Sequence, residues 1–559
     1  MRKLILLFGL SILLANCKTS KEKGLIVDKA MVVSARQEAS KIGAVILKKG
    51  GNAYDAMIAT HYALAVVYPV AGNIGGGGFM VYRSNDGKTG ALDFREKAPI
   101  TAHRDMYLDS LGNVVKNKST LGANAVGIPG SVAGTFEVYE KFGTLPFKEL
   151  IQPSIDLARN GFKVTEKQAN SINSGTKKIS KVNNYKTLFQ KEWKKGDLLK
   201  QEELAQTLER IRDFGKDGFY RGETADLFVN YVTDLGGIVS KQDLEKYEAI
   251  WRKPISFYYK NHKIISMTLP ASGGICLAQI LKSIEPFDLS NINHNSTKYV
   301  QLLTEAERRS YADRANFLGD IDFVKVPIDS LTDTNYINQR MASFSWDKAT
   351  HSSEVSHGKV LGYESNETTH YSIVDQFGNA VSVTTTLNTG YGSKVLVKGA
   401  GFFLNNEMDD FSSKPGVPNV YGLIGSEANS IASEKRMLSS MTPTIIEKDG
   451  KLKMVLGTPG GSTIITSVLQ NILNVVDYNM GMQESVNQPR FHHQWLPDVI
   501  KMEPNGFKTA TKRKLNTLGY EILEKNSLII GKVDAILVLP DGKLEGGADK
   551  RGDDTAVGF

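Results

Sequence analysis

The sequence predicts an α+β fold in which helices cover both faces of largely antiparallel sheets. Between residues 146 and 344, apolar residues recur mostly at helical spacing, as in the segment 298–318. From residue 368 onward the chain is instead rich in β-branched residues, with runs at 369–375 and 380–386 around a Gly-Asn turn. Helical and strand segments of this kind pack as layers around shared cores.

The amino-acid composition is that of a globular protein and excludes several other classes. Of 559 residues, 41% are hydrophobic and 23% are charged, which is typical of globular proteins and excludes disordered and fibrous classes. Two cysteines exclude a disulfide scaffold and a cysteine-rich zinc site. The formal net charge of +8 is mild for this length and gives no indication of nucleic-acid binding.

Much of the basicity lies in the segment 176–200. Contact with anionic lipid or polysaccharide is one interpretation of this segment, and a solvated surface is the better one. Its lysines are Lys177, Lys178, Lys181, Lys186, Lys191, Lys194, Lys195 and Lys200.

The N-terminus has the pattern of a secretory signal. Met1-Arg2-Lys3 is followed by the apolar stretch 4–15, which is too short to span a bilayer. A buried helix is the alternative, but the charge and the terminal position favour a signal over residues 1–16. Leu14-Ala15-Asn16-Cys17 resembles a bacterial lipobox, with Asn16 departing from the usual small residue. We therefore expect Cys17 to carry lipid in the periplasm or cell envelope, and residues 17–29 to form a linker.

Secondary structure in the first part of the chain follows from local signals. The Ala- and Val-rich segment 30–49 predicts a helix that ends at Gly50-Gly51. Asn52 can cap a second helix running to about Val67. Residues 78–83 and 91–95 predict two strands joined by a turn.

The second part begins after a polar segment, 352–367, that predicts an exposed loop. Two strands follow it. Further strands are expected at 453–457, 498–502 and 534–539, with a long amphipathic helix from about Ser462 to Asp477. Cys276 lies in an apolar run and should be a lone buried thiol.

Two familiar kinds of site are excluded. The stretch Gly75-Gly76-Gly77-Gly78 is not a phosphate loop, because no Gly-Lys-Ser/Thr follows and a strand comes next in place of a helix. The nine histidines include no pair at the helical spacing that a metal site uses.

Thr368 is a candidate nucleophile. A polar, protease-accessible loop leads directly into a strand that begins with Thr368-Thr369-His370. A hydroxyl at a free N-terminus has its own α-amine beside it as a general base, and that amine titrates near ~8. From spacing alone, β-branched residues that merely begin a strand are the more common explanation.

From about residue 26 to its end, the sequence resembles the γ-glutamyltranspeptidases, which are N-terminal nucleophile hydrolases with a four-layer αββα fold. The resemblance rests on several motifs in combination: 73–79, 93–96, 368–372, 405–411, 438–441 and 459–462. It implies self-cleavage between Glu367 and Thr368. A large chain, 30–367 after the linker, and a small chain, 368–559, would then form one heterodimer.

The resemblance also implies roles for individual residues. Thr368 would attack the γ-glutamyl amide, Thr386 would hydrogen-bond the nucleophile, and the N–H groups of Gly460 and Gly461 would hold the oxyanion. The α-carboxylate of the substrate would be bound by Arg95, Ser439 and Ser440, and its α-amine by Asn388, Glu407 and Asp410. Tyr421 would close a lid over the pocket. Glu407 stands where many bacterial relatives have Gln.

These implications identify a γ-glutamyltransferase with glutathione hydrolase activity. Its substrates would be glutathione and other γ-glutamyl compounds, its acceptors water, amino acids or peptides, and no cofactor or metal is expected. One alternative is a cephalosporin or glutaryl acylase of the same fold, whose substrates lack the α-amine. A second is a non-catalytic lipoprotein that binds γ-glutamyl compounds.

Overall fold

Four layers make up the protein. The structure is a computed structural model that describes residues 22–356, 368–525 and 529–559. Within these residues, two seven-stranded sheets pack face to face, and helices cover their outer faces. Two smaller sheets of three and two strands lie outside this framework. The layers confirm the α+β class and the αββα order.

The strands are, in chain order, β1 Ile26–Val27, β2 Met31–Ser34, β3 Gly77–Arg83, β4 Thr89–Phe94, β5 Phe162–Lys163, β6 Leu198–Leu199, β7 Ile250–Arg252, β8 Ile255–Tyr259, β9 His262–Ser266, β10 Thr369–Val374, β11 Ala380–Thr386, β12 Thr444–Lys448, β13 Lys451–Gly457, β14 Phe491–His492, β15 Ile500–Met502, β16 Ile522–Glu524, β17 Asp534–Val538, β18 Leu544–Gly547 and β19 Thr555–Gly558.

The α-helices are α1 Gln37–Lys48, α2 Ala53–Val67, α3 Ser131–Phe142, α4 Phe147–Asn160, α5 Glu166–Val182, α6 Glu202–Phe214, α7 Asp217–Tyr220, α8 Gly222–Asp234, α9 Lys241–Glu245, α10 Gly273–Ile284, α11 Thr297–Phe317, α12 Ile328–Leu331, α13 Thr334–Met341, α14 Ile464–Val476, α15 Met482–Asn487 and α16 Thr509–Thr517. Short 3₁₀ turns include Glu407–Asp410 and Gly461–Thr463.

Strand order places β10 and β11 in the middle of one sheet. That sheet runs β19-β2-β10-β11-β3-β4-β7, and the other runs β1-β18-β17-β13-β12-β9-β8. Neighbouring strands in both are antiparallel, with Thr369 opposite Thr385 and Thr386 opposite Gly77. The register brings the N-terminal end of β10 beside the C-terminal end of β11, where Thr368 and Thr386 lie.

Three apolar cores fill the three spaces between the layers. Phe79, Val455 and Ile536 belong to the core between the two sheets. One outer core joins helices α2 to α4 to the sheet that holds β10, and the other joins α10, α11 and α14 to the second sheet. Each sheet therefore has two apolar faces, so its strands need β-branched and apolar residues on both sides.

Both sheets combine strands from the two sides of residue 368. In the β10 sheet, β2, β3, β4 and β7 come from the first part of the chain and β10, β11 and β19 from the second. The second sheet is mixed in the same way. The predicted large and small chains therefore share every major core. The predicted boundary between Glu367 and Thr368 itself lies at the edge of the undescribed residues 357–367.

One prediction of secondary structure needs correction, and a second needs an addition. The segment predicted as one helix over 30–49 begins as the strand β2, because its Met-Val-Val-Ser run is buried and pairs with β10 and β19. The segment 146–344 is mostly helical as predicted, and the addition is that it contains short strands, of which β8 and β9 are part of a main sheet. Strands of five residues are too short to stand out in a segment whose other apolar residues recur at helical spacing.

Other predictions are confirmed. Asn52 caps α2 through a capping box with Asp55. Cys276 is a free, buried thiol, and burial raises its pKa to about 11. The eight lysines of the segment 176–200 are exposed. The predicted signal and Cys17 fall in residues 1–21, outside the described residues. Among the residues that are described, no helix is long and apolar enough to cross a membrane.

Candidate active site

One small pocket, partly open to solvent, is lined by most of the residues that the sequence indicated. Among the predicted site residues that line it are Arg95, Thr368, Thr386, Asn388, Glu407, Asp410, Tyr421, Ser439, Ser440 and Gly461. Gly460 precedes Gly461 directly. Glu367 and Cys17 lie outside the described residues.

Thr368 lies immediately before the first residue of β10, at the N-terminal end of this inner strand. Its side chain is buried, with 4% of the residue exposed, and its Oγ1 is 3.4 Å from Oγ1 of Thr386. The Thr386 hydroxyl in turn accepts a hydrogen bond of 2.7 Å from the Asn388 N–H. Because that N–H occupies an acceptor position of Thr386, the Thr386 hydroxyl can donate its proton toward the nucleophile.

His370 does not serve as the base for Thr368. Its imidazole contacts Thr384 Oγ1 at 2.9 Å and Ser372 Oγ at 3.1 Å, between the two sheets. Burial lowers its pKa to about 3, so the ring is neutral at physiological pH. A Cβ on Gly457 would come within 2.3 Å of this ring, which explains the glycine.

The glycine-rich stretch 75–78 has a structural role beside Thr386. A Cβ on Gly76 would lie 2.0 Å from the Thr386 carbonyl oxygen, and one on Gly78 would lie 2.3 Å from the Thr384 carbonyl oxygen. Asn73 adds hydrogen bonds to this contact, donating to the Thr386 carbonyl at 3.0 Å. The stretch therefore lets the backbone pack closely against β11 and holds Thr386 in place.

Gly460 and Gly461 form the turn that leads into α14. Their φ angles of 143° and 56° lie in a region that other residues rarely adopt. A Cβ on Gly461 would also lie 2.6 Å from the Tyr421 ring. The first N–H groups of a helix have no partner within the helix, so this turn can offer them to an oxyanion.

Arg95 lies between acidic side chains. Its Nη1 is 2.6 Å from Oε2 of Glu407 and 3.4 Å from Oε2 of Glu96, and its Nη2 is 2.5 Å from Oδ2 of Asp410. Asp93 accepts a hydrogen bond from the Arg95 N–H, which fixes the backbone. The groups predicted for the two ends of a zwitterion are thus in direct contact.

Burial shifts the pKa values of the acidic groups around Arg95. Burial raises the pKa of Glu407 and of Asp410, and the Arg95 guanidinium opposes both shifts. Burial raises the pKa of Glu96 to about 8, so this carboxyl holds a proton at neutral pH. Although burial alone would lower the pKa of Arg95, its acidic neighbours keep that pKa above the usual value. The cluster is therefore closely balanced between the two signs.

Ser439 and Ser440 lie on an extended segment at the wall of the pocket. The Ser439 N–H donates to the Pro270 carbonyl at 2.8 Å, which ties the segment to the turn before α10. Ser440 Oγ accepts a hydrogen bond of 3.0 Å from Nη2 of Arg314. Arg314 is a pocket residue that the sequence did not indicate, because it stands among many charged residues of α11 and belongs to none of the motifs.

The predicted lid is the segment 415–428, and its Tyr421 and Leu423 line the pocket. Tyr421 donates a hydrogen bond to the Asn388 carbonyl, and its backbone carbonyl accepts one from Gln494 at 3.2 Å. The Val420 N–H donates to Asp409 at 2.8 Å. Asn388 has a positive φ of 73°, and its Oδ1 is buried without a hydrogen-bond partner. An acceptor in that state suits a ligand that donates, such as an ammonium group.

Comparison with known proteins agrees with this geometry. A family model described as gamma-glutamyltranspeptidase matches residues 39–559. The chain belongs to the gamma-glutamyltranspeptidase family. A glutathione hydrolase proenzyme of Escherichia coli strain K12 is 47% identical over 95% of this chain and 92% of its own length.

Acylases share the ancestry and the fold. An acylase proenzyme, ACY 1, of Pseudomonas sp. strain SE83 is 34% identical over 96% of this chain and 95% of its own length. The crystal structure of a cephalosporin acylase from Bacillus halodurans superposes with a TM-score of 0.85 over 97% of both chains, at 22% identity. This likeness is one of fold, and it agrees with the four-layer α+β arrangement.

Proposed function

We propose that this member of the gamma-glutamyltranspeptidase family is a γ-glutamyltransferase with glutathione hydrolase activity. The observation that supports the proposal is the pocket itself, which Thr368 lines together with Arg95, Glu407 and Asp410. A γ-glutamyl compound has a zwitterionic head separated from its amide by two methylene groups. Both of its ends thus meet complementary groups.

Maturation begins with the chain's own peptide bond. The Thr368 hydroxyl attacks the carbonyl carbon of Glu367, the peptide C–N bond breaks, and an ester joins Glu367 to Oγ1. Water then hydrolyses the ester. This leaves a carboxylate on Glu367 and a free α-amine and hydroxyl on Thr368, which is the state that catalysis requires.

Catalysis repeats the same attack on the substrate. Thr368 Oγ1 adds to the γ-carbonyl while the α-amine accepts its proton, and the Gly460 and Gly461 N–H groups stabilise the oxyanion. Collapse breaks the amide bond, with the proton passing to the leaving amine. The γ-glutamyl ester on Thr368 is then resolved by water, which gives glutamate, or by an amino acid or peptide.

An acylase substrate would fit the charges of this pocket less well than a γ-glutamyl compound. Glutaryl and related side chains lack the α-amine, so the Glu407 and Asp410 carboxylates would face no cation beyond Arg95. Two buried carboxylates that share one guanidinium are only partly compensated, which is unfavourable. The Asn388 Oδ1 acceptor likewise needs a donor. These groups favour a γ-glutamyl head over a glutaryl one.

The substrate class is tested with paired anilides. The purified, matured enzyme should hydrolyse γ-glutamyl-anilide and turn over glutaryl-anilide poorly, and Thr368→Ala should hydrolyse neither. Equal rates on the two compounds would support the acylase instead. If the wild type binds γ-glutamyl compounds without turnover, the protein is the binding lipoprotein.

We also propose a lipid anchor at Cys17, supported by the basic and apolar N-terminus and by the lipobox-like segment 14–17. The protein would then reside in the periplasm or cell envelope. Wild-type protein should partition with membranes, and Cys17→Ser should be soluble. A soluble wild type whose mature N-terminus is not Cys17 would contradict the anchor.

A further inference from the structure

Arg314 is a second buried cation at the glutamyl pocket. It lies on α11, with 4% of the residue exposed, and lines the same pocket as Arg95 and Thr368. Its Nη2 donates to Ser440 Oγ at 3.0 Å, and its Nε donates to Ser272 Oγ at 2.9 Å. The guanidinium is thus held at the pocket wall by two hydroxyl groups.

Among the described residues no carboxylate pairs directly with this charge, although Asp410 acts on it from a longer distance. In the part of the chain that the structure describes, no acidic side chain forms an ion pair with Arg314 within 4.0 Å, whereas Arg95 has three acidic groups within 3.4 Å. A buried charge is unfavourable unless an opposite charge or a set of hydrogen bonds compensates it. The Arg314 guanidinium can therefore attract an anionic group of a ligand bound in the pocket.

The hydrogen bonds of Arg314 orient the two serine hydroxyl groups that accept them. Because Ser440 Oγ accepts from Arg314, the Ser440 hydroxyl proton is available to another acceptor in the pocket. Ser272 accepts from Arg314 and donates from its hydroxyl to the Ser439 carbonyl at 2.7 Å. A single arginine therefore orients one serine hydroxyl and fixes the backbone of the adjacent serine.

We infer that Arg314 is a specificity-determining, positioning residue for the α-carboxylate of the γ-glutamyl head. It orients Ser440 as a hydrogen-bond donor to that carboxylate and supplies a positive charge behind the hydroxyl. Arg95 alone would have to share its guanidinium between the substrate and the Glu407 and Asp410 carboxylates. With Arg314 included, the two cations and two acidic groups of the pocket match a zwitterion. This inference rests on the proposed function.

A purely structural arginine is the competing explanation, since Arg314 also links α11, the start of α10 and the segment that holds Ser439 and Ser440. The two explanations differ in their dependence on the substrate. Loss of a structural link lowers the rate with every substrate. Loss of carboxylate recognition affects only compounds that carry the α-carboxylate.

The test compares γ-glutamyl-anilide with 4-aminobutyryl-anilide, which keeps the amine and lacks the α-carboxylate. Variants Arg314→Gln and Arg314→Lys are purified after maturation, and their two-chain composition is checked by mass spectrometry. Arg309→Gln is the matched control, because Arg309 is a buried arginine of the same helix that pairs with Glu305 away from the pocket.

For Arg314→Gln we expect kcat/KM for γ-glutamyl-anilide to fall by about tenfold or more, mainly through KM. The value for 4-aminobutyryl-anilide should change by less than about twofold, and Arg314→Lys should recover part of the loss. Arg309→Gln should leave the ratio of the two substrates unchanged. In a Ser440→Ala background, Arg314→Gln should cost less, since much of its effect passes through that hydroxyl.

Parallel losses on both substrates would overturn the inference, as would full activity of Arg314→Gln. If Arg314→Gln does not mature, Arg314→Lys decides, because a structural role of Arg314 predicts an unchanged substrate ratio for that variant and carboxylate recognition predicts a lowered one. Failure of the proposed function is distinguishable, since the wild type itself would then not turn over γ-glutamyl-anilide.

Discussion

At the scale of single residues, Arg95 is the side chain on which substrate recognition depends most. It lies in contact with Glu407 and Asp410 and close to Glu96, so a substrate carboxylate competes with groups of its own sign. The substrate ammonium can relieve this competition by pairing with the Glu407 and Asp410 carboxylates. Recognition of the two ends of the substrate is therefore coupled.

Arg95→Ala should mature normally and lose activity, because self-cleavage does not use the glutamyl head. Loss of one partner of a desolvated charge pair costs about 2 to 5 kcal/mol. Hence kcat/KM for γ-glutamyl-anilide should fall by roughly thirtyfold or more. Steady-state kinetics on the two-chain protein checks this. An uncut Arg95→Ala chain would show that Arg95 is needed for folding instead.

Glu96 should make stability depend on pH. Its pKa is raised to about 8 in the folded protein, whereas an unfolded Glu titrates near ~4.3. The folded state thus binds more protons across this window, and stability should fall as pH rises from about 4.5 to about 8. In Glu96→Gln, the part of this decline due to Glu96 should disappear.

The measurement is the thermal midpoint of matured wild type and Glu96→Gln at pH 5 and pH 8. Glu149→Gln, whose side chain is 43% exposed, serves as the control and should keep the wild-type pH dependence. A difference between pH 5 and pH 8 that is the same in Glu96→Gln and wild type would show that Glu96 is ionised throughout.

Most of the residues at this scale could be predicted from the sequence. Thr368, Arg95 and the Gly460-Gly461 pair stand in short motifs whose chemistry is specific in combination. Arg314 could not, because a charged residue on a long helix carries no local signal of what it faces. The direct pairing of Arg95 with Glu407 and Asp410 also depends on three segments that only the fold brings together.

At the scale of elements, the turn before α14 and the lid work as one unit. Gly461 adopts a left-handed φ of 56°, and the Tyr421 ring packs against the position where a Cβ would project. The lid is tied to the strand end that holds Thr386, because Tyr421 bonds the Asn388 carbonyl. The oxyanion turn and the cover of the pocket therefore constrain each other.

Gly461→Ala should mature poorly or lose activity. A left-handed backbone costs a residue with a Cβ roughly 1–2 kcal/mol, and the Cβ would also displace Tyr421. We expect a fall in kcat of about tenfold or more for γ-glutamyl-anilide. Gly450→Ala is the matched control, since Gly450 has a positive φ of 72° and nothing lies near its Cβ position. Equal effects of the two variants would refute the role of the Tyr421 contact.

Helices and strands with strong local signals were predictable, as Asn52 and its capping box show. The strand β2 was not, because its four residues directly precede an Ala-rich helix and its partners β10 and β19 are more than 300 residues away in the sequence. Its two valines suit a strand, but so short a run gives no pattern that separates it from the helix.

At the scale of the whole molecule, the two predicted chains form one structure. Strands from both sides of residue 368 are combined in each main sheet, and all three cores contain side chains from both parts. The layer order was predictable only through the family resemblance. The composition and the mixture of elements alone indicate layers without specifying their order.

The cleaved chains should therefore remain associated. After maturation they should elute together in size-exclusion chromatography and separate only in denaturant. Residues 368–559 expressed alone should not form a folded domain, because that segment would leave the β10 sheet without β2, β3, β4 and β7. Circular dichroism with a cooperative unfolding transition of the isolated segment would contradict this interlocked arrangement.

The central claim is that Thr368, once freed by self-cleavage, forms an ester with the γ-glutamyl group. Intact-mass spectrometry tests it most directly on enzyme quenched in acid during turnover of γ-glutamyl-anilide. We expect a small chain that begins at Thr368 and a second species heavier by one γ-glutamyl group attached to that residue. Thr368→Ala should give one uncut chain without the adduct. A wild-type chain that remains whole, or an adduct on another residue, would contradict the claim.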